Sequence, residues 1–363
     1  MNPLVQVPRL TVNIRRSLQI NRIQFQQIKE QVLLYSIIVP VYNRPGEVKE
    51  LLDSLLAQTV KPFELLIIED GSKERCDHLL DHYRSSFTIK YYYKDNSGRS
   101  DTRNYGMARA TGDYMLFFDS DVILPKDYFE KLEAAMEADY SDCFGGPDAA
   151  DDSFSDMQKA VSHAMTSFWT TGGIRGGKAV MEKFCPRTFN MGLSKAVYET
   201  VGDFKDMMGE DIDLSIRIRN AGFRTRLIRE VFVYHKRRID LKRFYKQVNN
   251  FGQARIWLQL IHPGSLKIVH AAPAVMLVMG LLLLIASIFC PWLLLLPLLY
   301  ALLIFGDALV GYRSLKIAAL SVAAAAVQIT GYGMGFLKAL WFKMILKRPL
   351  ETKEDLTKLY NRG

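Results

Sequence analysis

The chain has 363 residues and is long enough for two domains of ordinary size, but its composition excludes a uniform globular protein. Charged residues fill the first two-thirds, whereas residues 268–342 are overwhelmingly apolar. The net charge of +9 predicts a partner of opposite sign, and the basic residues that flank the apolar region favour a membrane surface over nucleic acid. The four cysteines are widely spaced without metal-finger spacing, which favours a reduced, cytoplasmic environment.

Residues 1–33 form a leader with basic residues but no apolar core before Val32, so no cleavable secretory signal is expected. Apolar residues such as Ile14, Leu18 and Phe25 recur at near-helical spacing. This pattern is compatible with an amphipathic helix on the membrane or on the domain that follows, and equally with a loosely packed leader.

Apolar runs, the first of them rich in β-branched residues, predict buried strands at 36–41, 64–68 and 114–118, and a further strand is expected at 88–93. Helical patterns lie between the first strands, beginning at Pro45 and at Cys76. Strand, helix and strand at this spacing predict right-handed βαβ units and a parallel sheet.

Polar side chains follow these strands at the edge of the sheet where ligands bind in open α/β folds. They are Tyr42 and Asn43, then Asp70, then Asp119 and Asp121. Two carboxylates one residue apart repel each other unless a cation lies between them, and Mg²⁺ commonly combines protein carboxylates with phosphate oxygens. An isolated Asp-x-Asp is more often a solvated turn. Three strands that end alike favour a nucleotide crevice instead.

Five motifs in this order resemble the family-2 glycosyltransferases with the GT-A fold, over about residues 35–260. The motifs are Pro40-Val41-Tyr42-Asn43, Glu69-Asp70-Gly71-Ser72, Gly98-Arg99 with Arg103-Asn104 and Gly106, Asp119-Ser120-Asp121, and Gly209-Glu210-Asp211. The resemblance implies an inverting transferase that uses a nucleotide-diphospho-sugar, such as a UDP-sugar, and needs Mg²⁺ or Mn²⁺.

The resemblance also implies roles for individual residues on the nucleotide side. The base and ribose would be held by Pro40, Tyr42, Asn43 and Asp70. Arg99 would face the base or the diphosphate. These roles agree with the chemistry of the side chains, since Tyr42 offers a stacking face and Arg99 a fork of donors for phosphate.

Around the reacting centre, Asp119 would lie near the ribose and the metal, and Asp121 would bind the metal with His235 as a further contact. By the same resemblance Asp211 would be the general base that deprotonates the acceptor hydroxyl, and Glu210 would orient donor or acceptor. Other positions are left open. Arg103 fits a substrate contact or a structural ion pair, Asn190 matches a position near the acceptor, and Asp213 is expected to pack or cap.

One segment departs from the family pattern. Processive members carry Gln-x-x-Arg-Trp, whereas this chain has Gln253-Ala254-Arg255-Ile256-Trp257. Polymer synthesis through a translocation channel is therefore disfavoured.

Beyond the catalytic domain, expected at 34–236, residues 237–266 predict a basic amphipathic helix at the membrane interface. Residues 267–342 predict a transmembrane region of about three helices, with Gly331, Gly333 and Gly335 allowing close packing, and 343–363 a basic tail. The side of the tail stays open. Three full spans would place its lysines outside, against the positive-inside tendency, unless the third segment is re-entrant or interfacial.

The sequence therefore predicts an α/β protein with a Rossmann-like GT-A domain, a mainly parallel sheet and C-terminal transmembrane helices. Its expected place is the inner (plasma) membrane, with the catalytic domain in the cytoplasm and no nucleic-acid partner. The expected function is transfer of a sugar to a lipid-linked glycan or another membrane-associated acceptor, as in cell-envelope polysaccharide synthesis. The alternatives are a polyprenyl-phosphate glycosyltransferase and a non-catalytic nucleotide-sugar-binding scaffold.

Overall fold

The structure is a computed structural model that describes residues 33–149, 154–171, 184–236 and 240–348. The leader predicted at 1–33 lies outside these residues except for residue 33. So do the glycine-rich stretch 172–177, the basic pair at 237–238 and most of the basic tail.

A mixed, mainly parallel sheet forms the centre of the first two-thirds of the chain. Its strands lie in the order β3-β2-β1-β4-β8-β6-β9. β1, β2, β3 and β4 pair in parallel, whereas β8 runs antiparallel to both β4 and β6. A small second sheet has the order β5-β10-β7. The strands are β1 (Tyr35–Val41), β2 (Phe63–Asp70), β3 (Thr88–Lys94), β4 (Tyr114–Phe118), β5 (Val122–Ile123), β6 (Cys143–Gly145), β7 (Asp148–Ala149), β8 (Asn190–Ser194), β9 (Thr225–Leu227) and β10 (Val233–His235).

Helices cover both faces of the large sheet and continue into the apolar part. The segment expected to be helical after Cys76 is a short 3₁₀ helix over Asp77–His82. The α-helices of the described residues are α1 (Pro45–Leu56), α2 (Arg99–Met107), α3 (Tyr128–Ala138), α4 (Asp156–Thr166), α5 (Phe168–Thr171), α6 (Lys195–Val201), α7 (Glu210–Asn220), α8 (Leu241–Ile261), α9 (Ile268–Ala286), α10 (Leu295–Tyr312) and α11 (Leu315–Ala339).

The core shows why the central strands form where the sequence predicts them. All residues of β2 are buried, because helices pack on both sides of the sheet. Successive residues of β1 point to opposite faces, so Ile37 and Val39 join one apolar cluster and Ile38 joins the other. α1 packs on the first face, and Leu214 of α7 packs on the second. The predicted α/β architecture with a mainly parallel sheet is confirmed.

Within the described residues, three helical segments are long and apolar enough to cross a membrane: Ile268–Ala286, Pro291–Tyr312 and Leu315–Ile345. The third segment differs from the others. In its most apolar stretch of 18 residues, 39% is buried against the rest of the protein, compared with 11% for each of the first two segments. Its glycines pack as the sequence predicts. Gly331 and Gly335 lie against α8, and Gly333 lies against α9.

Candidate active site

The acidic pair that follows β4 meets a histidine from another strand. Ligand atoms of Asp119, Asp121 and His235 all lie within 4.8 Å of one another. The small sheet causes this approach, because β10 pairs with β5 in a register that sets His235 opposite Val122, directly after Asp121. Two carboxylates and an imidazole at this separation form a set of donors that could hold a divalent cation.

The surroundings of Asp121 fit such a cation. Its Oδ2 accepts a hydrogen bond from Nη1 of Arg44 at 2.7 Å. Its Oδ1 is buried 3.3 Å from Nε2 of His235, yet makes no well-aligned hydrogen bond within the described part of the chain. Burial by itself would raise the pKa of this carboxyl, but the His235 ring and the Arg44 guanidinium outweigh burial and hold the pKa well below its ordinary value. The carboxylate of Asp121 is therefore held in its ionised form, with one oxygen that could bind a metal.

Arg103 links the acidic pair to a second acidic turn. Its side chain is fully buried, and Nη2 donates to Oδ1 of Asp119 at 2.7 Å while Nη1 lies 3.4 Å from Oε1 of Glu210. The guanidinium also lies over the ring of Phe204 at 5.8 Å from its centre. A buried arginine fork that holds two carboxylates fixes the distance between the strand edge and the start of α7.

The second acidic turn opens α7. Gly209 adopts the left-handed conformation at φ 81°, so the chain turns sharply and sets Glu210 and Asp211 in the first helical turn. Oδ2 of Asp211 lies 3.1 Å from Nη1 of Arg187. Burial would raise the pKa of Asp211, but the pair with Arg187 outweighs it and lowers the pKa below its ordinary value. The carboxylate is thus ionised, and Arg187 occupies one of its oxygens.

The residues expected to bind the nucleotide lie at the ends of β1 and β2. Tyr42 is 51% exposed and offers its ring to a ligand. Asn43 has φ 52°, and its Oδ1 accepts from the backbone N–H groups of Lys73 and Glu74, so it shapes the turn after β2. Pro40 is half-buried within β1.

Asp70 shapes the next loop. Its oxygens accept from the backbone N–H groups of Ser97 and Gly98, at 2.9 and 3.0 Å, and Lys94 pairs with it. This loop leads directly to Arg99, which is exposed at the first position of α2. Asp70 therefore fixes the backbone of the loop from which Arg99 begins α2.

The structure corrects one expectation and supports another. Asn190 is fully buried, its Oδ1 accepts from Tyr128 at 2.6 Å, and its Nδ2 donates to the carbonyl of Val231 at 2.7 Å. Its side chain is committed to the core and does not face an acceptor. Asp213 packs as expected, with Arg217 and His262 on its carboxylate at 2.9 and 2.7 Å.

Two site residues were missed by the sequence reasoning, Arg44 and Arg187. Arg44 follows Tyr42-Asn43 directly, so its place at the strand edge gave a usable signal. Arg187 comes from a segment without secondary structure, and its contact with Asp211 spans 24 positions in sequence. Nothing local in the sequence marks that contact.

Comparisons with known proteins agree with this geometry. Residues 36–200 match the family model described as glycosyl transferase family 2. An uncharacterized glycosyltransferase of Rickettsia felis is 42% identical over 102 residues, which cover 28% of this chain and 17% of that protein. The uncharacterized glycosyltransferase EpsJ of Bacillus subtilis is 34% identical over 113 residues, covering 31% of this chain and 33% of EpsJ. The chain thus spans a minor part of the length of these curated relatives.

Among solved structures, the mannosyltransferase PcManGT from Pyrobaculum calidifontis, in complex with GDP-Man and Mn²⁺, is similar over 87% of this chain and 89% of its own, with a TM-score of 0.58. The sequence identity is 15%, so this likeness concerns the fold.

Proposed function

The chain carries a family 2 glycosyltransferase domain of the GT-A fold, and we propose that it transfers a sugar from a nucleotide-diphospho-sugar to a membrane-associated acceptor, with inversion at the anomeric carbon. The apolar helices support this acceptor class, because they would hold the site beside lipid. By the same proposal the protein lies in the plasma membrane with its catalytic domain in the cytoplasm.

The observation that carries the proposal is the cluster of Asp119, Asp121 and His235, which lies beyond the carboxyl end of β4. Arg103 joins this cluster to Glu210 through ion pairs with Asp119 and Glu210. Asp121 and His235 would hold Mg²⁺ or Mn²⁺, and Asp119 would lie between the metal and the ribose. When bound, the metal neutralises the charge that develops on the departing diphosphate. Tyr42 would stack on the base, with Pro40, Asn43 and Asp70 forming its pocket, and the guanidinium of Arg99 would reach the diphosphate.

On the acceptor side, Asp211 would take the proton of the acceptor hydroxyl as its oxygen attacks the anomeric carbon. Glu210, fixed by Arg103, would orient the sugar between the two centres. Because Arg187 holds one oxygen of Asp211, we expect Arg187 to turn toward the acceptor when the site is loaded, which would make Asp211 more basic.

The same ion pair favours a second candidate function, transfer to a polyprenyl phosphate. A carboxylate whose pKa is lowered by an arginine is a weak base, and a phosphate acceptor is already an anion. Arg187 would then bind the acceptor phosphate. In that case Asp211→Asn would lower the rate only mildly, whereas with a hydroxyl acceptor it should lower kcat by about 10²–10⁴-fold.

The test is release of nucleoside diphosphate by the purified full chain, incubated with membrane extract, a panel of nucleotide sugars and either Mg²⁺ or Mn²⁺. The proposal expects one donor to be consumed in a metal-dependent reaction that Asp121→Asn abolishes. Asp127→Asn is the matched control, because Asp127 lies on the surface in a pair with Lys131. Release of pyrophosphate would instead indicate a nucleotidyltransferase and would refute the proposal.

A further inference from the structure

The third apolar helix, α11, lies side by side with α8. The two run in the same direction, because Val248 packs on Gly331, Gly252 on Tyr332 and Phe336, and Trp257 lies 5.8 Å from Nζ of Lys343. A methyl group on Gly252 or Gly335 would overlap backbone atoms of the other helix. Nδ2 of Asn249 also donates to the carbonyl of Gly331 at 3.0 Å. The two helices therefore share one orientation toward the membrane.

That shared orientation cannot be transmembrane, because α8 is charged. Lys242, Arg243 and Lys246 are exposed in its first two turns. Between them, Phe244 packs in one cluster with Ala324 and Ala325, close to the middle of α11. If α11 spanned the bilayer, these cations would lie near its centre, where charged side chains are strongly disfavoured.

Contacts near both ends of α11 lead to the same conclusion. Near its start, Lys316 pairs with Asp156 at 2.8 Å. Near its end, Phe336 and Ala339 share a cluster against which Met208 packs, beside the acidic turn of the site. Residues 316–339 of a helix cover about 35 Å, more than the ~30 Å of a hydrocarbon core. A domain on one side of the bilayer does not reach both ends of a helix that crosses it.

α9 and α10 behave differently. The turn between them is exposed, with Phe289 at 87% and Trp292 at 77%. α9 meets α11 opposite Gly333, through Pro273 and Leu277 in its first half. The turn and the helix ends beside it extend away from the catalytic domain, whereas α10 returns to that domain from Tyr300 onward. The hydroxyl of Tyr300 donates to the carbonyl of Trp169 at 2.9 Å, and Oδ2 of Asp307 lies 3.0 Å from Nε2 of His163 on α4.

We propose that the chain crosses the membrane twice, through α9 and α10, and that α11 lies along the membrane surface together with α4 and α8. The catalytic domain and residues 343–348 then lie on the same side. The exposed side of α11 suits a headgroup layer, since it carries Met334 and Lys338, and the exposed Trp341 follows just after the helix. The arrangement also places Lys343, Lys347 and Arg348 on the side of the catalytic domain, as the positive-inside tendency requires. It does not depend on the proposed sugar transfer.

The test is labelling of single cysteines in the full chain with a membrane-impermeant maleimide, in intact spheroplasts and after permeabilisation. Native Cys290 marks the turn between α9 and α10 and is exposed, whereas Cys76 and Cys143 are buried. Cys185→Ser removes the half-buried thiol. In a Cys185→Ser, Cys290→Ser background, Lys347→Cys marks the end of α11, and Asp81→Cys marks the catalytic domain on a side chain that is 92% exposed.

The proposal expects Cys290 to be labelled in intact spheroplasts. Labelling of Lys347→Cys and of Asp81→Cys should stay at background in intact spheroplasts and become complete for both variants after permeabilisation. Labelling of Lys347→Cys on the opposite side from Asp81→Cys would show three crossings and overturn the proposal. Labelling of Cys290 from the same side of the membrane as Asp81→Cys would also overturn the proposal. Melting temperatures equal to that of the wild type would show that the variants are folded, so each labelling pattern is decisive.

Discussion

The buried guanidinium of Arg103 should be the strongest stabilising contact of the site, and Arg103→Met tests this directly. The substitution removes the partner of Asp119 and of Glu210 without leaving a large cavity. Removing one partner of a buried ion pair costs about 3–5 kcal/mol. Because Asp119 is 28% exposed and water solvates part of its charge, we expect the lower end, about 3 kcal/mol.

For a domain of this size that loss corresponds to a melting temperature about 6–12 °C lower. Arg103→Lys keeps the charge but loses the fork, and should cost about 1.5–3 kcal/mol for one hydrogen bond to a charged group. The measurement is thermal unfolding of the detergent-solubilised full chain with divalent cations chelated.

Arg84→Met is the control, since Arg84 pairs with Asp81 at the surface and its loss should change stability by less than about 1 kcal/mol. Equal melting temperatures for Arg103→Met and Arg84→Met would refute the reasoning, because they would mean that Asp119 and Glu210 need no buried partner.

Three further predictions concern the nucleotide, the base and the helix contact. Tyr42→Ala should weaken binding of the nucleoside diphosphate by about 1–3 kcal/mol in calorimetric titration. Tyr93 is similarly exposed, and Tyr93→Ala should leave binding unchanged. Equal losses of affinity in the two variants would argue against stacking of the base on Tyr42. Arg187→Gln should move the acidic limb of the pH profile of kcat/KM, which reports the free enzyme, to higher pH, because Asp211 loses the contact that lowers its pKa and burial then raises that pKa; an unmoved limb of this profile would exclude Asp211 as the base. Gly252→Ala should destabilise the contact between α8 and α11 by about 1–3 kcal/mol, whereas Gly280→Ala, where a methyl group meets open space, should not; matching melting curves for the two would contradict the close approach.

The parts of the fold that followed from the sequence are those set by local pattern. β1, β2 and β4 are mostly apolar because the sheet is covered on both faces, and their polar ends meet because parallel strands end at one edge. The small sheet gave no such signal. β5 and β7 have two residues each, and their pairing with β10 depends on contacts that are distant in sequence.

In the candidate site, too, local motifs could be predicted from the sequence, whereas contacts between distant residues could not. The motifs marked Asp119, Asp121 and Asp211. Arg44 directly follows the Tyr42-Asn43 motif, so its position gave a usable signal, whereas nothing local distinguishes Arg187 from a surface arginine. The expectation for Asn190 was wrong although its position matches the family. Its side chain forms hydrogen bonds inside the core and does not face an acceptor. Hydropathy alone likewise did not indicate that the third apolar helix packs closely along α8.

The central claim is tested most directly by following a radiolabelled sugar from its nucleotide donor into the lipid-extractable fraction of membranes that contain the full chain. We predict metal-dependent transfer that falls to background in Asp121→Asn and stays at the wild-type level in the surface control Asp127→Asn. If no nucleotide sugar yields labelled product, or if Asp121→Asn transfers as fast as the wild type, a metal-dependent transferase centred on Asp121 is contradicted.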